Sequence, residues 1–194
     1  LPGILISHYL WKHHYEQLQY YETKLLPMLE KIENPLIYDV GPGTGFYTKE
    51  YLKNLSSSQV VGFDMSPHSL KHTEMMVENW GFMDRYESRL GNILSIGSIE
   101  SCDLINSIEV LEHLENPVEF LIGLNRMLKP GGLGFISAAI NAPNADHIYL
   151  YTDAEDVAKQ LETAKFKILD MTVDQAYEPR NQNDAVPVNA AFIV

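Results

Sequence analysis

The glycine-rich turn GPGTG, which runs from Gly41 to Gly45, directly follows a short apolar run at residues 36–40. A strand that enters such a turn brings bare backbone close to a ligand beside a helix N-terminus, where free N–H groups and the helix dipole favour negative charge. A tight strand-to-helix turn without a ligand is the alternative, because glycine-rich turns are common. The pattern favours a ligand site at Gly41, Gly43 and Gly45.

The spacing of these glycines distinguishes between classes of ligand. A dinucleotide fingerprint reads G-x-G-x-x-G/A, but Phe46 follows Gly45 here, and its large ring obstructs the close approach that a pyrophosphate needs. The Walker pattern also fails, since no Gly-Lys-Ser/Thr follows. The sequence G-x-G-x-G instead suits a cofactor that presents a carboxylate and a nucleoside.

An acidic residue, Asp64, ends the next apolar run, 23 residues after Gly41. A carboxylate at this point can accept hydrogen bonds from both ribose hydroxyls of an adenosine cofactor. The alternative is a carboxylate at a helix start, because Ser66-Pro67 supplies an N-cap and a first-turn proline for the next helix. The glycine turn and the spacing together favour ribose binding.

Strand and helix patterns alternate along the chain after Asn34-Pro35. We predict strands at 36–40, 59–63, 88–90, 103–107, 133–139, 166–173 and 188–194, and helices at 46–55, 66–80, 116–128 and 152–164. This alternation predicts a mostly parallel α/β sheet with helices on both faces. Residues 174–187 show no helical pattern, so the last two strands are expected to form an antiparallel pair at one edge.

Composition limits the partners of the chain. Its formal net charge is -12, with 14 Lys and Arg against 26 Asp and Glu, which disfavours a nucleic-acid substrate. No apolar stretch approaches the roughly 20 residues that span a bilayer. The single cysteine, Cys102, beside the apolar run 104–108, is typical of a small buried hydrophobe and of a reducing compartment. We expect a cytoplasmic protein without a membrane span.

Four segments in order, YDVGPGTG, VVGFDMSP, CDLINSIEVLEHLENP and LNRMLKPGG, resemble the motifs of class I S-adenosylmethionine (SAM)-dependent methyltransferases. The resemblance covers roughly residues 36–170 and is nearest to small-molecule O- and N-methyltransferases of the ubiquinone-biosynthesis type. It implies a Rossmann-like, doubly wound sheet of seven strands. It also implies SAM as cofactor and methyl transfer to an oxygen or nitrogen of a small-molecule acceptor. We expect a single domain over 1–194, with an N-terminal helical lid at 1–33, a core at 34–194, and a homodimer as the assembly to test.

Carried over by position, the resemblance assigns cofactor roles to ten residues. The methionine end of SAM would be surrounded by Asp39, Gly41, Gly43 and Gly45. Asp64 would bind the ribose, Met65 would pack on the adenine, and Ser107 and Ile108 would lie beside the sulfonium. Asn92, next to Ile93, stands where the family often has an Asp that touches the adenine amino group, and its amide carbonyl can still accept that bond. Lys165 stands where the family usually has a glycine between helix and strand.

Candidates for the acceptor side are less sharply marked. His113 is our first candidate for a general base, because an imidazole titrates near neutral pH. Glu109, Glu112, His113 and Glu115 can be imagined as metal ligands, but no cysteine or second histidine accompanies them, and we expect no metal. His147, Tyr149 and Tyr151 either line an acceptor pocket or form an aromatic loop packed on the sheet.

Two other readings remain open from the sequence. The N-terminal segment is rich in histidine and tyrosine between His8 and Tyr21, which predicts either a lid over the cofactor or a surface helix packed on the sheet. As a function, a non-catalytic SAM- or nucleoside-binding domain is one rival. A nicotinamide-dependent oxidoreductase on a related sheet is another, and Phe46 is the feature against it.

Overall fold

A seven-stranded sheet runs through the computed structural model, which describes residues 2–95, 101–178, 181 and 186–194. In chain order the strands are β1 (Leu36–Val40), β2 (Gln59–Asp64), β3 (Tyr86–Leu90), β4 (Cys102–Ser107), β5 (Leu128–Ile140), β6 (Asp170–Gln175) and β7 (Val188–Ile193). The segment between β6 and β7 that was predicted to lack a helix lies partly outside the described residues.

The helices are α1 (Pro2–Leu10), α2 (Lys12–Tyr20), α3 (Leu26–Leu29), α4 (Phe46–Asn54), α5 (Pro67–Asn79), α6 (Pro117–Asn125) and α7 (Ala154–Thr163). A π-helical turn, Tyr21–Leu25, joins α2 to α3, and Pro27 lies in the first turn of α3. Among the described residues, no helix combines the length and the apolar character needed to cross a membrane.

The strand order is β3-β2-β1-β4-β5-β7-β6. Strands β1 to β5 pair in parallel, whereas β7 runs antiparallel to both β5 and β6. The predicted mostly parallel sheet and its antiparallel pair at one edge are therefore confirmed, with the reversed strand one position in from the edge. The direction in which successive strands are added to the sheet reverses between β1 and β4. Open α/β sheets bind ligands at the carboxyl ends of the strands beside such a point.

Two apolar clusters cover opposite faces of the sheet, as the doubly wound fold requires. Along β4, Leu104 belongs to the cluster with α4 and the N-terminal helices, while Ile105 belongs to the cluster with α6 and α7. Successive residues of a strand point to opposite faces, so this division follows from the buried, apolar sequence of β4.

The N-terminal helical segment forms part of the core on one of these faces. Tyr21 is fully buried and meets Tyr51 of α4 edge-on, with ring centroids 5.3 Å apart at 88°. Leu25 and Leu29 are also fully buried, in the same cluster as Phe135 of β5. The segment is therefore anchored by large apolar contacts at its C-terminal half, and α1 and the start of α2 extend from that anchor.

Two predicted strand starts were wrong by several residues: β5 begins at Leu128 and not at residue 133, and β6 begins at Asp170 and not at residue 166. Lys165 has a φ of +67°, the left-handed conformation expected where the family has glycine, and a side chain there costs about 1 kcal/mol relative to glycine. Phe166 is then buried in the core, and pairing with β7 begins only near Leu169, whose N–H donates to the Ile193 carbonyl at 2.8 Å. The partner strand sets this boundary, and a local pattern does not show it.

Candidate functional site

The glycine turn lies at the carboxyl end of β1. Gly41, Gly43 and Gly45 have φ angles of +73°, +55° and +72°, a conformation that strains other residues. A methyl group on Gly41 would lie 2.9 Å from Cγ2 of Val110, and one on Gly45 would lie 3.0 Å from Cγ2 of Thr73. The turn therefore requires glycine for its backbone at all three positions and for its packing at two of them.

Asp39, in the last turn-proximal part of β1, stabilises the strand end that leads into this turn. Its side chain is buried, and its two carboxylate oxygens accept hydrogen bonds from Asn106 Nδ2 at 2.8 Å and from Thr48 Oγ1 at 2.5 Å. Asn106 in turn accepts a bond from the Tyr51 hydroxyl at 2.8 Å. Burial raises the pKa of Asp39 to about 6, against the lowering effect of the bonds from Thr48 and Asn106. These bonds tie β1, β4 and α4 together. They therefore fix the carboxyl end of β1, from which the glycine turn starts.

Asp64 fills the helix-start role, one of the two alternatives that the sequence left open. Its Oδ1 accepts the backbone N–H of Ser66 at 2.8 Å, and its Oδ2 accepts the Ser69 hydroxyl at 2.6 Å. These bonds stabilise the start of α5. A carboxylate has about four lone-pair sites, so acceptor capacity remains for a ligand in the adjacent cleft.

A cavity of about 150 Å³ lies between the carboxyl ends of β1, β2 and β3. It is lined by Val40, Gly41, Phe63, Asp64, Met65, Gly91, Asn92, Ile93 and Phe120. The structure thus brings together five of the predicted cofactor residues. Phe120 comes from α6, far along the chain, and no sequence signal marked it. A larger cavity of about 420 Å³ lies at the opposite end of the sheet, around Gly131 and Lys165, and shares no residue with this cleft.

Asn92 has one of its hydrogen-bonding groups already engaged. Its Oδ1 accepts the Leu94 N–H at 2.9 Å and so caps the 3₁₀ turn Ile93–Ser95. The amide oxygen keeps its second lone pair and the Nδ2 group keeps its donors. Asn92 can therefore still bond to a purine edge, while its present bond fixes the loop that carries it.

At the end of β4, Ser107 is fully buried, and its hydroxyl has no hydrogen-bond partner among the described residues. An unsatisfied buried hydroxyl costs about 1–3 kcal/mol, so its position beside the turn fits a site for a polar ligand. The next residue, Ile108, is half-buried.

His113 and His147 lie close together, which no local pattern in the sequence indicated. Their ring centroids are 5.0 Å apart, and ligand atoms of Glu112, His113 and His147 all lie within 4.8 Å of one another. The expectation that no second histidine accompanies His113 was therefore wrong, because the loop after β5 folds back over residues 111–113. Such a group is close enough to hold one divalent cation. Burial, followed by the charge of Glu109, raises the pKa of Glu112 to about 8.

The two tyrosines of the loop after β5 differ in burial and in their hydrogen bonds. Tyr151 is fully buried, and its hydroxyl donates to Gln160 Oε1 at 2.7 Å, which supports the packing alternative for this residue. Tyr149 is partly exposed, and its backbone N–H donates to the Glu112 carbonyl at 2.9 Å. His147 and Tyr149 therefore remain the acceptor-side candidates of this loop.

A family model described as a methyltransferase domain matches residues 38–136, just over half of the chain. This range contains the β4 segment and the three features that line the cleft, which are the glycine turn, Asp64 and Asn92. The chain therefore belongs to this family, the class I SAM-dependent methyltransferases, whose cofactor is SAM.

Individual relatives agree with this assignment. The mitochondrial ubiquinone biosynthesis O-methyltransferase of Dictyostelium discoideum is 29% identical over 160 residues, which cover 75% of this chain and 48% of that protein. The ubiquinone biosynthesis O-methyltransferase of Roseobacter denitrificans is 27% identical over 158 residues, which cover 79% of this chain and 60% of that protein. The chain thus spans about half the length of the curated relatives it matches.

The fold is also shared with solved structures. The crystal structure of a SAM-dependent methyltransferase from Aquifex aeolicus superposes with a TM-score of 0.65 at 19% identity, covering 92% of this chain and 96% of that one. Neither the non-catalytic binding domain nor the nicotinamide oxidoreductase finds support among these relatives.

Proposed function

We propose that the chain transfers the methyl group of SAM to an oxygen or nitrogen of a small molecule, working as one domain with residues 1–33 as a lid over the core at 34–194. The observation that carries the proposal is the cleft in which the left-handed glycine turn meets Asp64 and Asn92. The names of the relatives, ubiquinone biosynthesis O-methyltransferases, favour oxygen as the acceptor atom.

When bound, SAM supplies an electrophilic methyl group, and the residues of the chain supply position. The free N–H groups of the glycine turn suit the carboxylate end of the cofactor. Asp64 offers acceptors to the ribose, and Met65, Asn92 and Ile93 stand where the adenine would lie. Ser107 and Ile108, at the end of β4, are the proposed neighbours of the sulfonium, and the unpartnered Ser107 hydroxyl fits a polar ligand there.

Replacing Asp64 with alanine should weaken SAM binding by roughly 1–3 kcal/mol, because the ribose hydroxyls lose a charged acceptor. Titration calorimetry with SAM measures this as roughly a 5- to 150-fold rise in Kd. An unchanged affinity would count against the assigned role.

The matched control for this test is Asp64→Asn. The asparagine retains a carbonyl acceptor for the Ser66 N–H but lacks the negative charge. If Asp64 binds the ribose as a carboxylate, Asp64→Asn should also lose affinity while its thermal stability stays near that of the wild type. Full affinity in Asp64→Asn would assign the loss in Asp64→Ala to the start of α5.

The geometry of His113 suits a general base. Its Nδ1 lies 2.9 Å from the backbone carbonyl of Asp146, and a carbonyl only accepts hydrogen bonds. In the neutral imidazole Nδ1 therefore carries the proton, and Nε2 keeps a free lone pair. This atom can remove the proton of an acceptor hydroxyl as the methyl group is transferred.

His113→Ala should lower kcat by about 10²- to 10⁴-fold, the usual contribution of a general base, while the Kd for SAM changes less than twofold. Turnover is followed as release of S-adenosylhomocysteine (SAH) from a panel of catechols, phenols and amines. His113→Asn keeps a donor to the Asp146 carbonyl but has no base, so it should be as slow as His113→Ala. A fast His113→Asn, or parallel losses of kcat and SAM affinity, would make His113 structural.

We also propose a cytoplasmic location and a homodimer, which remain predictions. The single thiol, Cys102, is buried, as expected of a small hydrophobe, and it suits a reducing compartment. Cell fractionation and light scattering on the purified chain test the two proposals separately.

A further inference from the structure

Three histidines of the N-terminal helices gather around one carboxylate at the carboxyl edge of the sheet. We call His8, His13, His14 and Glu109 the histidine cluster. His8 and His14 are buried, and the ring centroid of His14 lies 5.3 Å from that of His8 and 4.2 Å from that of His13. The cluster joins α1 and α2 to the segment that follows β4.

This cluster lies against the glycine turn. The His8 ring stacks on the ring of Phe46, the residue after Gly45, with centroids 3.9 Å apart and planes at 8°. Glu109 directly precedes Val110, whose side chain packs over Gly41. Glu109 also follows Ser107 and Ile108, the proposed neighbours of the sulfonium. The backbone of Glu109 is therefore next to the reacting end of the proposed cofactor site.

Glu109 is held from three elements. Its backbone has a φ of +53°, an uncommon conformation for a residue other than glycine, and its N–H donates to Ser137 Oγ at 3.1 Å. Its Oε1 accepts Asn189 Nδ2 of β7 at 2.9 Å and lies 3.4 Å from Nε2 of His14. The strained backbone and the partners from separate elements together fix where the carboxylate points.

His14 connects this carboxylate to α1. Its Nδ1 lies 2.7 Å from the Ser7 hydroxyl, while its Nε2 faces Glu109. A proton on Nε2 lets His14 donate to the carboxylate, and the Ser7 hydroxyl can then donate to Nδ1. The position of Glu109 therefore depends on both N-terminal helices being docked.

The histidines also determine the charge of Glu109. Burial alone would raise the pKa of this carboxyl, but the hydrogen bond to His14 and the charges of His14, His13 and His8 lower it below its usual range. Lys49 and Asp174 are the other charged groups that face the histidines. Glu109 is thus an anion at neutral pH, whereas Glu112 nearby is held mainly as the neutral acid.

We propose that His14 is a positioning residue of the transfer site, which acts by holding the Glu109 carboxylate toward the acceptor. A carboxylate fixed beside the methyl group accepts a hydrogen bond from the acceptor and orients its nucleophilic atom for in-line attack. The N-terminal helices then complete the acceptor half of the site and do more than cover it. This inference rests on the proposed function.

The first test measures whether His14 holds Glu109. Protein labelled with ¹³C at the glutamate carboxyls is titrated by NMR, and Glu109→Gln assigns the signal. In the wild type Glu109 should titrate below 4.5, its ordinary value. His14→Ala should raise that pKa, since the effect of burial is then less opposed. His14→Gln, whose amide can replace the Nε2 donor, should restore part of the shift, and Lys12→Ala, at an exposed ion pair of the same helix, should leave it unchanged.

The second test measures whether the contact between His14 and Glu109 affects acceptor binding and methyl transfer. With 3,4-dihydroxybenzoate as a catechol probe, binding to the SAH-loaded protein should weaken at least tenfold in His14→Ala, with the Kd for SAH itself within twofold. His14→Gln should recover most of the probe affinity. Where the probe is turned over, kcat should fall in His14→Ala and recover in His14→Gln. The acidic limb of the pH profile of kcat should be displaced in His14→Ala.

The outcomes of these tests distinguish a failure of the proposed function from a failure of the role of His14. A wild type that binds neither SAM nor SAH overturns the proposed function. A wild type that binds SAM, with an unchanged Glu109 titration and unchanged probe binding in His14→Ala, overturns the role of His14 alone. Equal losses of SAH and probe affinity in both His14 variants would also overturn it, because they indicate a general loss of structure.

Discussion

Acidification from pH 6.5 to pH 4 should weaken the docking of the N-terminal helices by about 3 kcal/mol through His8. Burial, followed by repulsion from His14, lowers the pKa of His8 from its ordinary 6.5 to about 4, and Lys49 adds to this while Glu109 opposes it. Above pH 6.5 the imidazole is neutral in both the docked and the undocked state. As the pH falls, the undocked imidazole binds a proton that the docked one does not, so stability is lost until pH 4.

Amide hydrogen exchange of α1, followed by mass spectrometry between pH 4 and pH 7.5 and corrected for the intrinsic exchange rate, measures this loss. The control is His8→Phe, which keeps a ring to stack on Phe46 but cannot titrate. The protection of α1 in this variant should vary with pH by about 3 kcal/mol less than in the wild type. Equal pH dependence in the two proteins would show that His8 is not the group responsible. Since Glu109 is held through His14, we expect undocking to disturb the acceptor side before it disturbs the SAM cleft.

Asp39 should produce a pH effect of similar size and opposite sign. Its pKa lies at about 6 in the protein and at 3.8 ordinarily, because burial disfavours the carboxylate. Below pH 3.8 the acid is neutral in the folded and unfolded states. As the pH rises toward 6 the unfolded chain releases its proton first, so the folded state loses about 3 kcal/mol of stability and the loss then stays constant.

Urea unfolding of the wild type and Asp39→Asn, at pH 3.5 and pH 7.5, isolates this contribution. The difference in the free energy of unfolding, variant minus wild type, should increase by about 3 kcal/mol between the two pH values. Constant effects of the substitution, such as a rearranged bond to Thr48 or Asn106, cancel in this comparison. A difference that does not change with pH would mean that the ionised Asp39 is stabilised as well in the protein as in water.

The glycine turn and the acidic end of β2 could be predicted because their causes are local. Three glycines in a left-handed turn have few substitutes, since any other side chain strains the backbone and, at Gly41 and Gly45, meets a neighbour. Asp64 ends β2, 23 residues after Gly41, and directly precedes the start of α5. The alternation of apolar strands and helices then places both features at the same edge of a parallel sheet.

The acceptor half could be predicted only in part, because its contacts join residues far apart in the chain. His113 was visible in a motif, but His147 reaches it only through the fold of the loop after β5. Glu109 stood in the same motif without any sign that His14 and Asn189 hold it. The start of β6 was misplaced for the same reason, since it depends on register with β7.

The sequence by itself determined the class of sheet, the glycine turn and the acidic end of β2, because backbone conformation and strand periodicity are encoded in neighbouring residues. Only the tertiary structure decided which side chains meet around the turn: Asp39 with Asn106, Phe120 with the cleft beside Asp64, and the histidine cluster with the end of β4. These contacts depend on the packing of whole helices on the sheet. The burial that results raises the pKa of Asp39 and lowers that of His8, whereas the nearby histidines keep the pKa of Glu109 low against the effect of burial.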